Sequence, residues 1–352
     1  MVFWPSLAFG VRLANARGIG RTIFSCFAHS WKSLRYPASY PLSGKVSSVA
    51  RPVSRKTRVP LCLLRGVGFL FETAGHRVAL ALGAKIGDLF RIVLPSKARR
   101  VRSNLEKAYP DLRGTAALRR TEAEVFRHFG RLGAEFFRFP VLDDGWVRDH
   151  VLVDNLSLVR DCLGEGRGVL AVIAHFGNWE LISKRLALEL DVPCHVVTRK
   201  IRDPKIDAFI RERRLRYGKA LSIASEEGGI RAILRALARN EIVVLAVDQS
   251  AGPPEGIAVP FFGRPAGTHT GAARIALRQN LPLLPAFSFR LPCGSHRVRF
   301  GPLLDFPSGT SLSPPEKIAQ MTGRMTALAE ERIREHPEQW IWMHNRWKEF
   351  SC

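Results

Sequence analysis

The stretch GVLAVIAHFGNWE, residues 168–180, decides the fold of the chain, because an apolar run passes through a short turn into a helix. GVLAVIA (168–174) has the length and the branched apolar composition of a strand that is buried on both faces. The segment that follows, NWELISKRLALEL, has the spacing of a helix. A strand, a turn and a helix in this order form one unit of a layered α/β fold.

The same alternation continues towards the C-terminus. Short apolar strands at VPCHVVT, EIVVLAVDQ, LPLLPAFSFR and HRVRFGPLL are interleaved with helices at KIDAFIRERRLRYG, GIRAILRALARN and GAARIALRQN. Residues 60–140 have helical spacing instead. We therefore predict an α/β fold: a single layered domain with a mostly parallel central sheet flanked by helices, preceded by an N-terminal helical, membrane-associating region.

Three segments differ in composition. Residues 1–60 are basic, and the first acidic residue of the chain is Glu72. This arm is expected to be disordered or not part of the native protein, with an organellar transit peptide as the other reading. Residues 61–95 are apolar but interrupted by charges, which favours an amphipathic, membrane-associating segment over a spanning helix. An amphipathic helix packed on the core is the competing reading. Residues 96–352 form the predicted catalytic domain.

The charge of the chain limits its partners. Its formal net charge is +23, and an anionic membrane surface, an acidic carrier protein and nucleic acid are all suitable counterparts. No helix-turn-helix, zinc finger or aromatic RNA-binding strand is recognisable, so no nucleic acid is expected. The six cysteines are scattered, which argues against a disulfide framework and a zinc site. A metal-dependent hydrolase lacks a third ligand beside a His and a Glu.

The turn after GVLAVIA contains the residues with catalytic chemistry, His175 and Glu180. Five residues correspond to about 140° around a regular helix, so the two do not share a helical face. They can meet if His175 ends the strand and Glu180 lies in the first helical turn, with Gly177 easing the bend. A histidine oriented by a carboxylate can act as general base towards a hydroxyl. Without a Ser or Cys nucleophile in the motif, the acceptor's own hydroxyl would attack.

This segment resembles the lysophospholipid acyltransferase superfamily, and more closely the bacterial lipid A biosynthesis lauroyl and myristoyl acyltransferases. HFGNWE matches the family's block residue for residue. The blocks VTRKIRDPKIDAFIRERRLRYG, VVLAVDQSAGPPEGIAVPFFGRPAGTHTGAARIA, LPLLPAFSFR and HPEQWIWMHNRWK are similar to later family blocks in the same order. The similarity covers about residues 85–350. The second block departs from the family pattern at Thr198, Lys200 and Asp203, which leaves the acceptor contacts open.

The resemblance implies specific roles for residues of this chain. His175 would be the base and Glu180 its orienting acid, with no cofactor and no metal. The residues implied in substrate binding are Gly177, Asn178, Arg199, Asp248, Gln249, Phe262, Gly263 and Arg264. Among these, Arg199 suits a phosphate of the acceptor or donor. Near the C-terminus, Trp340, Trp342, Trp347 and Arg346 would lie at a membrane interface or, as the favoured reading, in a packed C-terminal helix.

The resemblance also implies the reaction and its location. An acyl chain would move from an acyl carrier protein thioester to a hydroxyl of a lipid A precursor, late in lipopolysaccharide biosynthesis. A different glycolipid or phospholipid acceptor, such as a phosphatidylinositol mannoside, is the alternative, and acyl-CoA is the alternative donor. The expected location is the cytoplasmic face of the bacterial inner membrane, with peripheral attachment or a single anchor.

Overall fold

The computed structural model describes residues 61–201, 203–214, 220–224, 228–306 and 311–348. The predicted basic arm, residues 1–60, lies outside this part of the chain. Within the described part, five helices come before the first strand. They are α1 (Leu61–Thr73), α2 (His76–Val93), α3 (Pro95–Ala108), α4 (Ala116–Arg138) and α5 (Asp144–His150).

Strands and helices alternate through most of the rest of the chain, as the sequence pattern predicts. The elements are β1 (Val151–Asp154), α6 (Leu156–Gly164), β2 (Val169–Ile173), α7 (Glu180–Glu189), β3 (Cys194–Thr198), α8 (Pro204–Arg214), β4 (Ala220–Ala224), α9 (Gly229–Ala238), β5 (Ile242–Ala246), β6 (Gly256–Phe261), β7 (Arg264–His269), α10 (Gly271–Gln279), β8 (Leu283–Arg290), β9 (His296–Phe300) and α11 (Pro314–Glu335).

A seven-stranded sheet in the order β1-β9-β8-β2-β5-β3-β4 forms the centre of the fold. Its neighbouring strands are parallel, except that β8 and β9 are antiparallel. The predicted α/β fold with a mostly parallel sheet flanked by helices is therefore confirmed. Two features escaped prediction: the edge strands β1 and β4, and a separate antiparallel hairpin formed by β6 and β7.

Helices cover both faces of the sheet, and alternate residues of a strand point to opposite sides. On β2, Val169, Ala171 and Ile173 join the core that also includes the N-terminal helices. Leu170 and Val172 join a second core with α9, α10 and part of α11. Burial on both faces explains why GVLAVIA is continuously apolar rather than alternating.

Helices α1 and α2 pack closely on the rest of the fold. Helix α2 crosses α4 where Gly83 faces Gly130, and a Cβ on Gly130 would lie 1.9 Å from the carbonyl oxygen of Gly83. Leu64, Phe71 and Phe90 lie in the main core. The outer surfaces of α1 and α2 nevertheless expose large apolar side chains: Leu63, Phe69, Leu70, Val78, Leu82, Leu89 and Ile92.

Within the described ranges, no helix combines the length and the apolar character needed to cross a bilayer.

Candidate active site

His175 lies directly beyond the carboxyl end of β2, and Asp248 lies beyond the end of its neighbour β5. The ladder between the strands continues past the end of β5, because the amide of Val247 donates to the carbonyl of Ile173, the last residue of β2. Nδ1 of His175 is 2.7 Å from Oδ1 of Asp248, and the amide of His175 donates to Oδ2 at 2.9 Å. Both side chains are buried. The two residues form a histidine–carboxylate pair at the sheet edge where α/β folds place their sites.

The carboxylate of Asp248 is held on its other side by Trp340. The indole Nε1 of Trp340 donates to Oδ2 at 2.8 Å, and the tryptophan is fully buried. Burial opposes the charged form of Asp248, but these hydrogen bonds and the neighbouring His175 prevail and lower its pKa. Burial lowers the pKa of His175, against the opposing charge of Asp248. The pair therefore rests as a carboxylate and a neutral imidazole, with the proton on Nδ1.

Glu180 has a different partner from the one predicted. Its carboxylate accepts from the guanidinium of Arg214, with Nε 3.0 Å from Oε2 and Nη2 2.9 Å from Oε1. Burial disfavours the charged form of Glu180, but Arg214 prevails and lowers its pKa. The imidazole Nδ1 that we assigned to Glu180 contacts Asp248 instead. The reason is positional: Glu180 is the first residue of α7, and its side chain faces the end of α8.

The turn between His175 and α7 has little room for change. Gly177 adopts a positive φ of 57°, and an added Cβ would lie 1.6 Å from the carbonyl oxygen of Ser288. Its amide donates to the carbonyl of Gln339 at 2.9 Å, and the amide of Phe176 donates to Ala174 at 2.8 Å. The predicted contact of Gly177 with substrate remains untested. Its amide, together with those of His175 and Phe176, already has a hydrogen-bond partner.

Two other residues of the motif are buried in the turn. Asn178 is fully buried and donates from Nδ2 to Oε2 of Glu135 on α4 at 2.7 Å. The ring of Trp179 packs edge-on against His175, with 5.0 Å between ring centroids. Its indole Nε1 is buried without a hydrogen-bond partner in the described structure. A buried N–H without a partner is costly, and such groups are concentrated at functional sites.

The other predicted polar residues lie along the same edge of the sheet. Arg199 directly follows β3, which pairs with β5, and it is half-buried. Gln249 follows Asp248, and its buried Nε2 has no partner in the described structure. The geometry thus places Arg199, Gln249 and His175 at the ends of neighbouring strands, although nothing in it tests whether they contact substrate.

Phe262, Gly263 and Arg264 form the tip of the β6–β7 hairpin. The ring of Phe262 contacts Tyr109 and Trp342, and Nε of Arg264 donates to the carbonyl of Lys107. None of the contacts described for these three residues is with His175. Their predicted part in a substrate cleft remains a prediction.

The C-terminal segment contributes more to the site than its sequence suggested. Trp340 and Trp342 are fully buried, which confirms the packing favoured for them, but residues 340–348 form a β-bridge and turns rather than the predicted helix. His344 accepts from the amide of Ser250 at 2.8 Å, and burial lowers its pKa to about 3. The buried Arg346 donates to Thr268. Among the described residues, no group of three His, Cys, Asp or Glu has the geometry to hold a metal ion.

Comparisons with known proteins place this chain among acyltransferases. A family model described as bacterial lipid A biosynthesis acyltransferase matches residues 53–349. The chain is similar to the lipid A biosynthesis lauroyltransferase of Escherichia coli (strain K12), with 27% identity over 288 residues, covering 80% of this chain and 89% of the relative. It is 25% identical to the palmitoleoyltransferase of the same organism over 286 residues, with the same coverage. The phosphatidylinositol mannoside acyltransferase of Mycobacterium tuberculosis is 24% identical over 221 residues, covering 62% and 67% of the two chains.

Proposed function

The chain belongs to the bacterial lipid A biosynthesis acyltransferase family and is an acyltransferase, and from this premise we propose that it acylates a hydroxyl of a lipid A precursor. The proposed donor is an acyl carrier protein thioester, and the step is a late acylation in lipopolysaccharide biosynthesis. The observation that carries the proposal is the buried His175–Asp248 pair at the sheet edge. Such a pair activates a hydroxyl for acyl transfer without a covalent enzyme intermediate.

The proposed reaction begins with the 3-hydroxyl of a fatty chain already on the glucosamine lipid. With Nδ1 of His175 donating to Asp248, Nε2 takes the hydroxyl proton as the oxygen attacks the thioester carbon. The new C–O bond gives a tetrahedral oxyanion. The C–S bond then breaks, and the imidazolium returns the proton to the leaving thiolate. Asp248 stabilises the transient imidazolium, and Trp340 and the amide of His175 fix the carboxylate.

The oxyanion needs a hydrogen-bond donor near His175. The amides of residues 175 to 177 already have acceptors, whereas the indole N–H of Trp179 is buried beside the imidazole without a partner in the described structure. We therefore assign Trp179 to the oxyanion in this mechanism. The indole N–H would donate its hydrogen bond only while negative charge develops on the oxyanion. A contact that forms only in the transition state lowers the barrier.

Replacing Trp179 with Phe removes the indole N–H and keeps an aromatic ring against His175. We expect turnover to fall roughly 10²–10³-fold, the usual cost of one oxyanion donor, with donor and acceptor KM nearly unchanged. Steady-state kinetics measure the effect. Trp347→Phe is the matched control, because its indole N–H is also buried without a partner among the described residues but its ring packs on Phe261. Wild-type turnover in Trp179→Phe contradicts the assignment.

Glu180 and the arginines are proposed to serve the anionic groups of the substrates. Glu180 fixes Arg214 at the end of α8, and Arg199 lies at the end of β3, on the carboxyl-terminal edge of the sheet. Arginine suits the phosphates of a lipid A precursor and the phosphate of a phosphopantetheine arm. The strongly basic chain also suits an acidic carrier protein.

The exposed apolar surface of α1 and α2 is proposed to lie against the cytoplasmic face of the inner membrane. Phe69 is 68% exposed and Ile92 is 70% exposed, and Arg65 and Arg77 are exposed on the same helices. Apolar side chains flanked by basic residues suit an interfacial helix on an anionic bilayer. This surface supports the domain division proposed from the sequence, with residues 61–95 as the membrane-associating segment.

Placing Asp at both Phe69 and Ile92 is expected to weaken vesicle binding. The two side chains together would lose enough apolar contact to lower partitioning at least about tenfold. Flotation of the full chain with anionic phospholipid vesicles measures the effect. Leu152→Asp with Leu221→Asp is the control, since these leucines are exposed on the edge strands β1 and β4. Equal loss in both double variants would show that another surface, or no specific one, is used.

The proposed function is tested by mass spectrometry of lipid A from a deletion strain with and without the gene. One missing acyl chain, restored by the wild-type gene and not by His175→Gln, is the expected result. Purified enzyme with acyl carrier protein and CoA thioesters of the same chain then identifies the donor. An unchanged lipid A contradicts the proposed acceptor. Acylation of phosphatidylinositol mannoside by the purified enzyme would establish the alternative acceptor, which the mycobacterial relatives support.

A further inference from the structure

A buried ionic cluster lies under the turn that holds His175. Its centre is Glu135 on α4, whose side chain is 1% exposed. The carboxylate accepts from Nδ2 of Asn178 at 2.7 Å, from Nε2 of His296 at 2.9 Å and from both terminal nitrogens of Arg290. The cluster thus joins α4 and the strands β8 and β9 to the turn between β2 and α7.

Neighbouring contacts fix the same turn from other directions. The amide of Gly177 donates to the carbonyl of Gln339 at 2.9 Å. The side chain of Gln339 in turn brackets the backbone of Arg290, accepting from its amide at 2.8 Å and donating to its carbonyl at 3.0 Å. Nε2 of His128 lies 3.4 Å from the carbonyl oxygen of Gly177. Every one of these partners is distant in sequence from the motif.

The three partners of Glu135 differ in chemistry and therefore in role. Arg290 supplies the charge that a buried carboxylate requires, because an unpaired buried charge is strongly destabilising. Asn178 is neutral, so it adds no charge compensation. Its Nδ2 connects the carboxylate to the turn, and its buried Oδ1 has no partner in the described structure. Asn178 is also fully buried. Buried hydrogen bonds of this kind hold reacting groups within the small distances that turnover requires.

We propose that Glu135 is a positioning residue, which sets the orientation of His175 through the amide of Asn178, and that Asn178 does not contact substrate. The proposal rests on the proposed function for the role of His175 as base. It also revises the role in substrate binding that the motif implied for Asn178.

Replacing Asn178 with Ala tests the link while leaving the Glu135–Arg290 ion pair in place. We expect turnover to fall roughly 10–100-fold, the cost of misplacing a catalytic group by about an ångström, with both KM values within about twofold of wild type. A substrate-binding role predicts the reverse, a raised KM with unchanged turnover. His296→Leu is the matched control, since it also removes one hydrogen bond to Glu135 but does not touch the turn. Its turnover should stay near wild type.

A double-mutant cycle with Glu135→Gln adds a second readout. If both residues act through one hydrogen bond, Glu135→Gln should cost little further turnover in the Asn178→Ala background. If Glu135→Gln fails to fold, the comparison of turnover in Asn178→Ala and His296→Leu still tests the proposal. Three results would overturn the proposal. The first is a raised KM with normal turnover in Asn178→Ala, and the second is wild-type kinetics in that variant. The third is an equal loss of turnover in Asn178→Ala and His296→Leu.

Amide hydrogen exchange tests the positioning role without depending on the identity of the substrate. The amides of residues 176–179 should exchange faster in Asn178→Ala than in wild type or His296→Leu, because the turn loses an anchor. If wild type does not acylate a lipid A precursor but exchange rises in this way, the proposed acceptor fails and the positioning role stands. Unchanged exchange in Asn178→Ala refutes the positioning role whichever acceptor the enzyme uses.

Discussion

Replacing His175 with Gln is expected to lower acyl transfer by about 10⁴-fold, the largest effect of any single substitution in this chain. A general base contributes roughly 10²–10⁴-fold, and its loss also leaves Asp248 without the imidazolium that it stabilises. Gln is close to His in volume and can still donate to Asp248, so the fold should persist. The measurement is turnover with acyl carrier protein thioester, beside a thermal unfolding midpoint for each protein.

A second buried histidine–carboxylate pair provides the control. Nε2 of His195 lies 2.6 Å from Oε2 of Glu241, at the amino ends of β3 and β5. His195→Gln therefore makes the same chemical change in the same sheet, at the edge opposite the site. If turnover stays near wild type in this variant and falls in His175→Gln, the loss depends on the location of His175 and not on the removal of a buried histidine as such. Comparable turnover in the two variants would contradict the role of His175 as general base.

Replacing Asp248 with Asn is expected to cost roughly 10³–10⁴-fold, because it imposes the wrong tautomer on His175. The indole of Trp340 and the amide of His175 both donate to Oδ2, so the carbonyl oxygen of the new amide must occupy that position. Its NH₂ group then faces Nδ1 of His175. An NH₂ group can only donate there, so Nδ1 must accept and the proton moves to Nε2, which can no longer take one from the acceptor.

Glu241→Gln is the matched control for Asp248→Asn, because it alters the carboxylate of the other buried pair. The pH dependence separates the tautomer effect from a simple change in basicity. Burial lowers the pKa of His175, so wild-type turnover should decline only as pH falls below about 6.5, the ordinary value for histidine. A tautomer effect persists on the plateau above that pH. Recovery of Asp248→Asn to wild-type turnover at high pH would refute it.

The sequence predicted the sheet and His175 because both depend on local pattern. GVLAVIA has strand length and is apolar throughout, and the turn after it is marked by Gly177. The partner of His175 depends on which strands are neighbours, and β2 and β5 are separated in the chain by β3 and β4. Asp248 was expected only as a substrate-binding residue. Glu180 was preferred because it is close in sequence.

The residues around the site were harder to predict for a related reason. Glu135 reads as an ordinary polar position on an amphipathic helix, and only the packing of α4 under the turn reveals its contacts with Asn178 and Arg290. Trp340 lies 92 residues from Asp248 in sequence. Its indole contact with the carboxylate requires the C-terminal segment to fold back over the sheet edge. No periodicity in the sequence indicates that the C-terminal segment folds back in this way.

The parallel pairing of β2 with β5 has a consequence for engineering this enzyme. His175 continues the alternation of Ala171 and Ile173, and Asp248 that of Val244 and Ala246, so both fall on one face of the sheet. Inserting one residue within β5 would turn the carboxylate to the opposite face. The connecting segments between the strands carry no such parity constraint. We therefore expect changes of loop length between the strands to be tolerated, whereas the His175–Asp248 pair should persist only through strand changes that conserve register.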